Sequence, residues 1–112
     1  MAILFSKVTL TAENGNTAQL LCSGIPKNHY DLEDWLIYQK FICDNLDCRQ
    51  IKAEVESFLY GEGEVFTANE YEIAAYTGRG VGFLTHPDVH PQGNSEFTIY
   101  TPIIRNEVSL CL

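Results

Sequence analysis

Hydrophobic and polar positions change period several times along this 112-residue chain. In "LFSKVTLTAENGNTAQLLCS", residues 4–23, two apolar, β-branched runs flank Asn14-Gly15. That dipeptide supplies the positive φ angles of a type I′ turn, so the stretch predicts a hairpin with a two-residue loop. Such a loop places Val8 opposite Leu21 on the core face. Residues 51–57 alternate strictly, with Ile51, Ala53 and Val55 on one side and Lys52, Glu54 and Glu56 on the other. This is the period of a half-buried strand.

Between these regions the period lengthens. After the breaker segment "SGIPKNHY", Leu32, Trp35, Leu36, Ile42 and Leu46 recur near helical spacing. Asp31 is placed to cap a helix, and Glu33 and Asp34 suit the positive end of its dipole. Ile37, Tyr38 and Phe41 are apolar as well. A buried strand over 35–43 therefore competes with the helix, and capping and length favour the helix.

Beyond residue 57 the pattern suggests further strands. Gly61 and Gly63 mark a turn, Glu70, Tyr71, Glu72 and Ile73 alternate, and Gly78, Gly80 and Gly82 mark a second turn or bulge. "SEFTIYTPIIRNEVSLCL" reads as one or two closing strands. Its apolar parity shifts at Pro102, which predicts an edge position or bulge there. The expected fold class is α+β: a mostly antiparallel sheet of about six strands (N-terminal hairpin, central meander, C-terminal strands) with one main helix near residues 31–46. The length suits a single globular domain, 1–112.

Charge adds the first functional signal. The net charge is −8, which disfavours nucleic acid and anionic membranes as partners and favours a basic protein. The charge is not spread evenly. Residues 51–78 carry Lys52 against Glu54, Glu56, Glu62, Glu64, Glu70 and Glu72, a net of −5. If these strands are neighbours, their carboxylates share a face suited to a partner's Lys and Arg. Tyr60 and Tyr71 are aromatic contacts of the kind enriched at interfaces. The competing reading is that the glutamates form only the wet side of a sheet.

The chemical candidates are weaker. "THPDVHPQGN", residues 85–94, spaces His86, Asp88 and His90 two apart. Both histidines precede a proline and are therefore pushed toward extended backbone. In a true strand the three side chains point one way and suit a metal; in polyproline geometry they splay into a polar loop. Cys43 and Cys48 are too far apart in sequence for the usual structural zinc pair. "TGRGVGF" at 77–83 lacks the Lys-Ser/Thr of a phosphate-binding loop and reads as a glycine-rich turn. An acid–base site could be assembled from His29, His86, His90, Glu96 and Arg79, but no motif groups them.

The start, "MAILFSKVTL", has no basic region ahead of an apolar run, and no apolar run approaches the roughly 20 residues that span a bilayer. The expectations are a cytoplasmic protein with no cofactor and with Cys22, Cys43, Cys48 and Cys111 reduced. These features support three functional readings. The leading one is a binding module, not an enzyme: an inhibitor, immunity or antitoxin type of protein that docks on a basic partner, such as a nuclease or another nucleic-acid-binding protein. Its contacts are Glu54, Glu56, Glu62, Glu64, Glu70, Glu72, Tyr60 and Tyr71. The alternative is a metal-binding domain or small metal-dependent enzyme centred on His86, Asp88 and His90. The third is a homo-oligomer that packs through a strand edge or the helix carrying Trp35.

Overall fold

The Asn14-Gly15 hairpin forms, but with a different turn from the one its dipeptide suggests. In a computed structural model that describes residues 3–37, 39–60, 84, 87 and 89–107, β1 (Ile3–Ala12) and β2 (Thr17–Ser23) flank it. The Gly15 N–H donates to Ala12 O at 3.0 Å, and the Ala12 N–H to Asn16 O at 2.8 Å. Gly15 has φ +91°, and among the described residues only glycines have positive φ. A type I′ turn would need a positive φ at Asn14 too. The observed turn is the three-residue loop in which a type I turn ends in a left-handed glycine. Its register, fixed also by the Gly24 N–H on Leu4 O at 2.9 Å, puts Val8 opposite Leu20 instead of Leu21. That one-residue slip moves Leu21 to the opposite face, where it packs with Phe5.

The single helix expected over 31–46 is two helices, α1 (His29–Leu36) and α2 (Lys40–Asp44). The cap of α1 is Asn28, not Asp31: Asn28 Oδ1 accepts the Asp31 N–H at 3.0 Å, and Asp31 Oδ2 in turn accepts the Lys27 N–H at 3.0 Å. The first bond satisfies a donor that the helix start leaves open, and the second ties the residue before the cap to the first turn. The chain turns extended at Gln39, with φ −71° and ψ 140°, before α2 begins. Burial explains the break. Leu32, Leu36 and Ile42 are all fully buried. In one straight helix Leu36 and Ile42 would point roughly 120° apart. Splitting the helix lets both turn inward.

β3 (Gln50–Tyr60) contains the alternating stretch and extends it. Ile51, Ala53 and Val55 are buried, whereas Lys52 and Glu54 are exposed. β4 (Val89–Tyr100) then incorporates His90 and Pro91, which the sequence placed in a loop or a metal site. The segment after it is not a second closing strand but a short helix, α3 (Thr101–Glu107). Pro102 accordingly opens a helix instead of marking a bulge. Proline is tolerated in the first turn because its missing N–H has no partner there anyway.

The sheet order is β2-β1-β3-β4, mainly antiparallel. Phe5 stacks on Phe58, Ser6 meets Ser57 and Lys7 reaches Glu56. One number falls as the other rises, so β1 and β3 run antiparallel. β4 is an edge of the described sheet, the position where a strand proline such as Pro91 costs no ladder bond. The described residues thus form a sheet-dominated α+β fold of four strands and three short helices. The strands and turns expected at 61–83 lie outside the described residues.

The chain divides into two compact units. One holds Met1–Val8, Gln19–Ile25 and Val55–Ser95; its core contains Phe5, Phe58, Tyr60 and Val89, with Leu21 and Leu84 packed on it. Its Phe5 and Phe58 rings stack at 5.5 Å. Ser6 is fully buried there and donates to Gly24 O at 2.8 Å. The other unit holds Thr9–Ala18, Pro26–Glu54 and Glu96–Leu112, and its described part contains all three helices. Leu10, Leu32, Leu36, Ile42, Ile51, Ile99 and Ile104 are buried in it.

Within this second unit, segment 45–50 is held by polar contacts from both flanking regions. Glu13 Oε1 accepts the Arg49 and Gln50 N–H groups, each at 2.7 Å. The Asn45 side chain is buried and accepts from Asn14 Nδ2 at 3.1 Å and Asn16 Nδ2 at 2.9 Å, and it donates to Phe41 O at 2.8 Å. From the other side the Thr101 hydroxyl donates to Cys48 O, the Thr101 N–H to Arg49 O, and Arg105 to Leu46 O.

Candidate protein-binding face

Glu54 and Glu56 project from β3 on the side opposite Ile51, Ala53 and Val55, as the alternation requires. Their side chains are 54% and 47% exposed. Each has an intramolecular counter-charge. Lys52 Nζ lies 3.3 Å from Glu54 and 3.5 Å from Glu96 of β4, and Lys7 Nζ lies 3.6 Å from Glu56. The Lys52 ammonium is held above its ordinary pKa, first by its hydrogen bond to Glu54 and then by the charge of Glu96.

Lys7 and Glu96 are the residues that the sequence pattern left out of the face. Lys52 was legible from its parity with Glu54, whereas Lys7 and Glu96 join only through cross-strand register. Their presence changes the electrostatics. The carboxylates are partly neutralised in the isolated chain, and a basic partner would have to displace or share Lys7 and Lys52. Exposed pairs of this kind are weak and exchangeable, because water screens them and long side chains lose entropy in holding them.

The same side of β3 changes character along its length. After Glu56 come Phe58 and Tyr60, both only 6% exposed. Tyr60 therefore belongs to the core cluster with Phe5 and Val89, and its ring is not a free contact surface. Glu62, Glu64, Glu70, Glu72 and Tyr71 lie outside the described residues.

Of the metal candidates, His90 is exposed on the edge strand, while His86 and Asp88 lie outside the described residues. Among the described residues, no three His, Cys, Asp or Glu side chains converge as a metal would need. Of the acid–base candidates, the His29 ring lies tilted by 39° against that of Tyr30, centroids 3.9 Å apart, at the start of α1, and Glu96 pairs with Lys52. The thiols also divide. Cys22 and Cys48 are free, and burial pushes the Cys22 thiol up to about 11, which leaves it unreactive at neutral pH. Cys43 is held in a disulfide, which corrects the expectation of four reduced cysteines.

Glu33 is the one described side chain with a buried polar atom that lacks a hydrogen bond, its Oε1. It is 7% exposed on α1. Desolvation raises its pKa, the charge of His29 opposes the shift and that of Asp34 adds to it.

The fold and face define a small, acidic, sheet-dominated α+β chain with paired charges on one strand. No helix among the described residues is long and apolar enough to cross a membrane. Comparison with protein-family models, with curated proteins and with solved structures finds no match to this chain.

Proposed function

We propose that this chain is a protein-binding module of the inhibitor or immunity type, which docks on a basic protein through the glutamate-bearing side of β3. The observation that supports the reading is the adjacent, half-exposed pair Glu54 and Glu56, within a segment of net −5 set by Lys52 and six glutamates. Opposite fields accelerate encounter and select the partner, and they need no catalytic group on the smaller protein. Glu62, Glu64, Glu70 and Glu72 extend the proposed contact set by sequence alone. A nuclease or other nucleic-acid-binding protein is the partner class with the matching charge.

The test is a pull-down from the native host with the wild-type chain and with Glu54, Glu56, Glu70 and Glu72 reversed to Lys. Circular dichroism and thermal melting confirm that the variant folds. The expected result is a basic partner that wild type retains, that rising salt releases and that the folded variant loses. Undiminished capture by the folded variant would falsify the acidic face.

A further inference from the structure

Asn14 combines three features that bear on its own covalent chemistry. It precedes a glycine in an exposed turn, and an added Cβ at Gly15 would meet nothing within 4 Å. Attack by the Gly15 nitrogen on the Asn14 side chain is not blocked by a side chain at 15, because glycine carries none. The Asn14 Oδ1 accepts the Asn16 N–H at 3.0 Å, and a donor at that oxygen stabilises the negative charge it develops under attack. The Asn14 Nδ2, the leaving nitrogen, donates to buried Asn45 Oδ1 at 3.1 Å. Two contacts restrain the reaction in the docked hairpin: this last one, and the 3.0 Å bond from the Gly15 N–H to Ala12 O.

We propose that Asn14 is a spontaneous modification site, which deamidates through a succinimide at a rate governed by docking of the hairpin tip on Asn45. The Gly15 backbone nitrogen loses its proton and bonds to Asn14 Cγ. The Cγ–Nδ2 bond breaks, and the nitrogen leaves as ammonia carrying the proton. Water then opens the ring at either carbonyl, giving aspartate or isoaspartate and releasing a proton. No oxidant or reductant takes part.

The product cannot remake the contact. A carboxylate at position 14 has no hydrogen to donate to Asn45 Oδ1, and it stands beside the Glu13 carboxylate. The isoaspartate form also adds a backbone atom to a turn whose register depends on the Ala12–Asn16 pair. The modification therefore loosens the tip from segment 45–50 and makes the chain more acidic by one charge.

The experiment incubates the full-length chain at mildly alkaline pH and follows ammonia release and peptide maps, with Asn16, Asn28 and Asn94 as internal references. Asn45→Ala is run in parallel, and Asn14→Asp serves as a product mimic. The expected result is that Asn14 converts first, and several-fold to about tenfold faster in Asn45→Ala, the rate equivalent of one lost hydrogen bond. Amide exchange at Asn16, Arg49 and Gln50 should rise in Asn14→Asp. Conversion of another asparagine ahead of Asn14, or an unchanged rate in a folded Asn45→Ala chain, overturns the proposal. Should Asn45→Ala not fold, the mimic decides: wild-type exchange at those three amides in Asn14→Asp overturns the linkage to docking.

Discussion

The Asn16 side-chain amide donates to buried Asn45 Oδ1 at 2.9 Å, across 29 residues of sequence. Asn14 donates to the same oxygen, and Asn45 Nδ2 donates to Phe41 O at 2.8 Å. One buried amide thus joins the hairpin tip to the end of α2 with both of its ends satisfied. Buried polar groups are tolerated on that condition, and they penalise any arrangement that leaves them unmet.

Replacing Asn45 with Ala removes three side-chain hydrogen bonds and leaves Phe41 O without this donor. The expected loss is about 2–3 kcal/mol of folding stability. Urea denaturation measures it. Asn45→Asp should cost at least as much, since its carboxylate would face Phe41 O with no proton to give. An Asn45→Asp chain as stable as wild type would remove the bridging role.

Glu13 supports the same docking from the neighbouring position. Its Oε1 accepts two backbone N–H groups, from Arg49 and Gln50, at 2.7 Å each. Because the site is exposed to solvent, Glu13→Ala should cost only about 1 kcal/mol. Glu13→Gln keeps an acceptor and should cost less. The ordering of the two variants, read from denaturation midpoints, separates hydrogen bonding from general loss of packing.

The parts legible in the sequence were those with local causes. Asn14-Gly15 announced the hairpin, and the alternation from Ile51 to Glu56 announced β3 and its two faces. The turn type was not legible, because Asn-Gly serves both a type I′ turn and a three-residue loop with Gly15 left-handed. Nor was the break at Gln39. No glycine or proline marks it, and only the shared burial of Leu36 and Ile42 requires it. Thr101-Pro102 starts a helix where the sequence suggests a strand irregularity, since a proline in the first turn of a helix and a proline at a sheet edge carry the same local signal. At the candidate face, Glu54 and Glu56 were legible from parity. Their counter-charges Lys7 and Glu96 were not, because they arrive from neighbouring strands. Tyr60 was misleading in the same way: its parity matches Glu56, but that side of the strand becomes core within four residues.

Thr101 tests the clamp on segment 45–50 from its other side. It is fully buried, its hydroxyl donates to Cys48 O and its N–H to Arg49 O at 3.1 Å. Thr101→Val keeps the shape and the backbone bond but strands the Cys48 carbonyl. The expected cost is about 1–2 kcal/mol. Thr101→Ser should recover most of it, limited by the lost methyl contact. Thermal melts of the two variants settle the matter; a larger loss in Thr101→Ser than in Thr101→Val would show that the methyl group, not the hydroxyl, carries the interaction.

Glu33 makes a prediction of opposite sign. Its Oε1 is buried without a hydrogen bond, and desolvation raises its pKa above the ordinary 4.5, with His29 opposing and Asp34 reinforcing. A carboxyl whose folded pKa is raised binds its proton more tightly in the folded chain than in the unfolded one. Its contribution to stability is therefore intact below pH 4.5 and is lost as pH rises from there through the folded value. At neutral pH the ionised side chain is a net cost. Glu33→Gln removes that ionisation while keeping size and shape. It should stabilise the fold at pH 7 by about 1 kcal/mol, the low end of the cost of an unpaired buried polar group. The gain should disappear when the same urea titrations are repeated below pH 4.5, where wild type is protonated in both states. A gain independent of pH would place its origin in helix propensity or packing. A loss at pH 7 would mean that the ionised carboxylate is stabilised in the folded chain, contrary to the burial seen at α1.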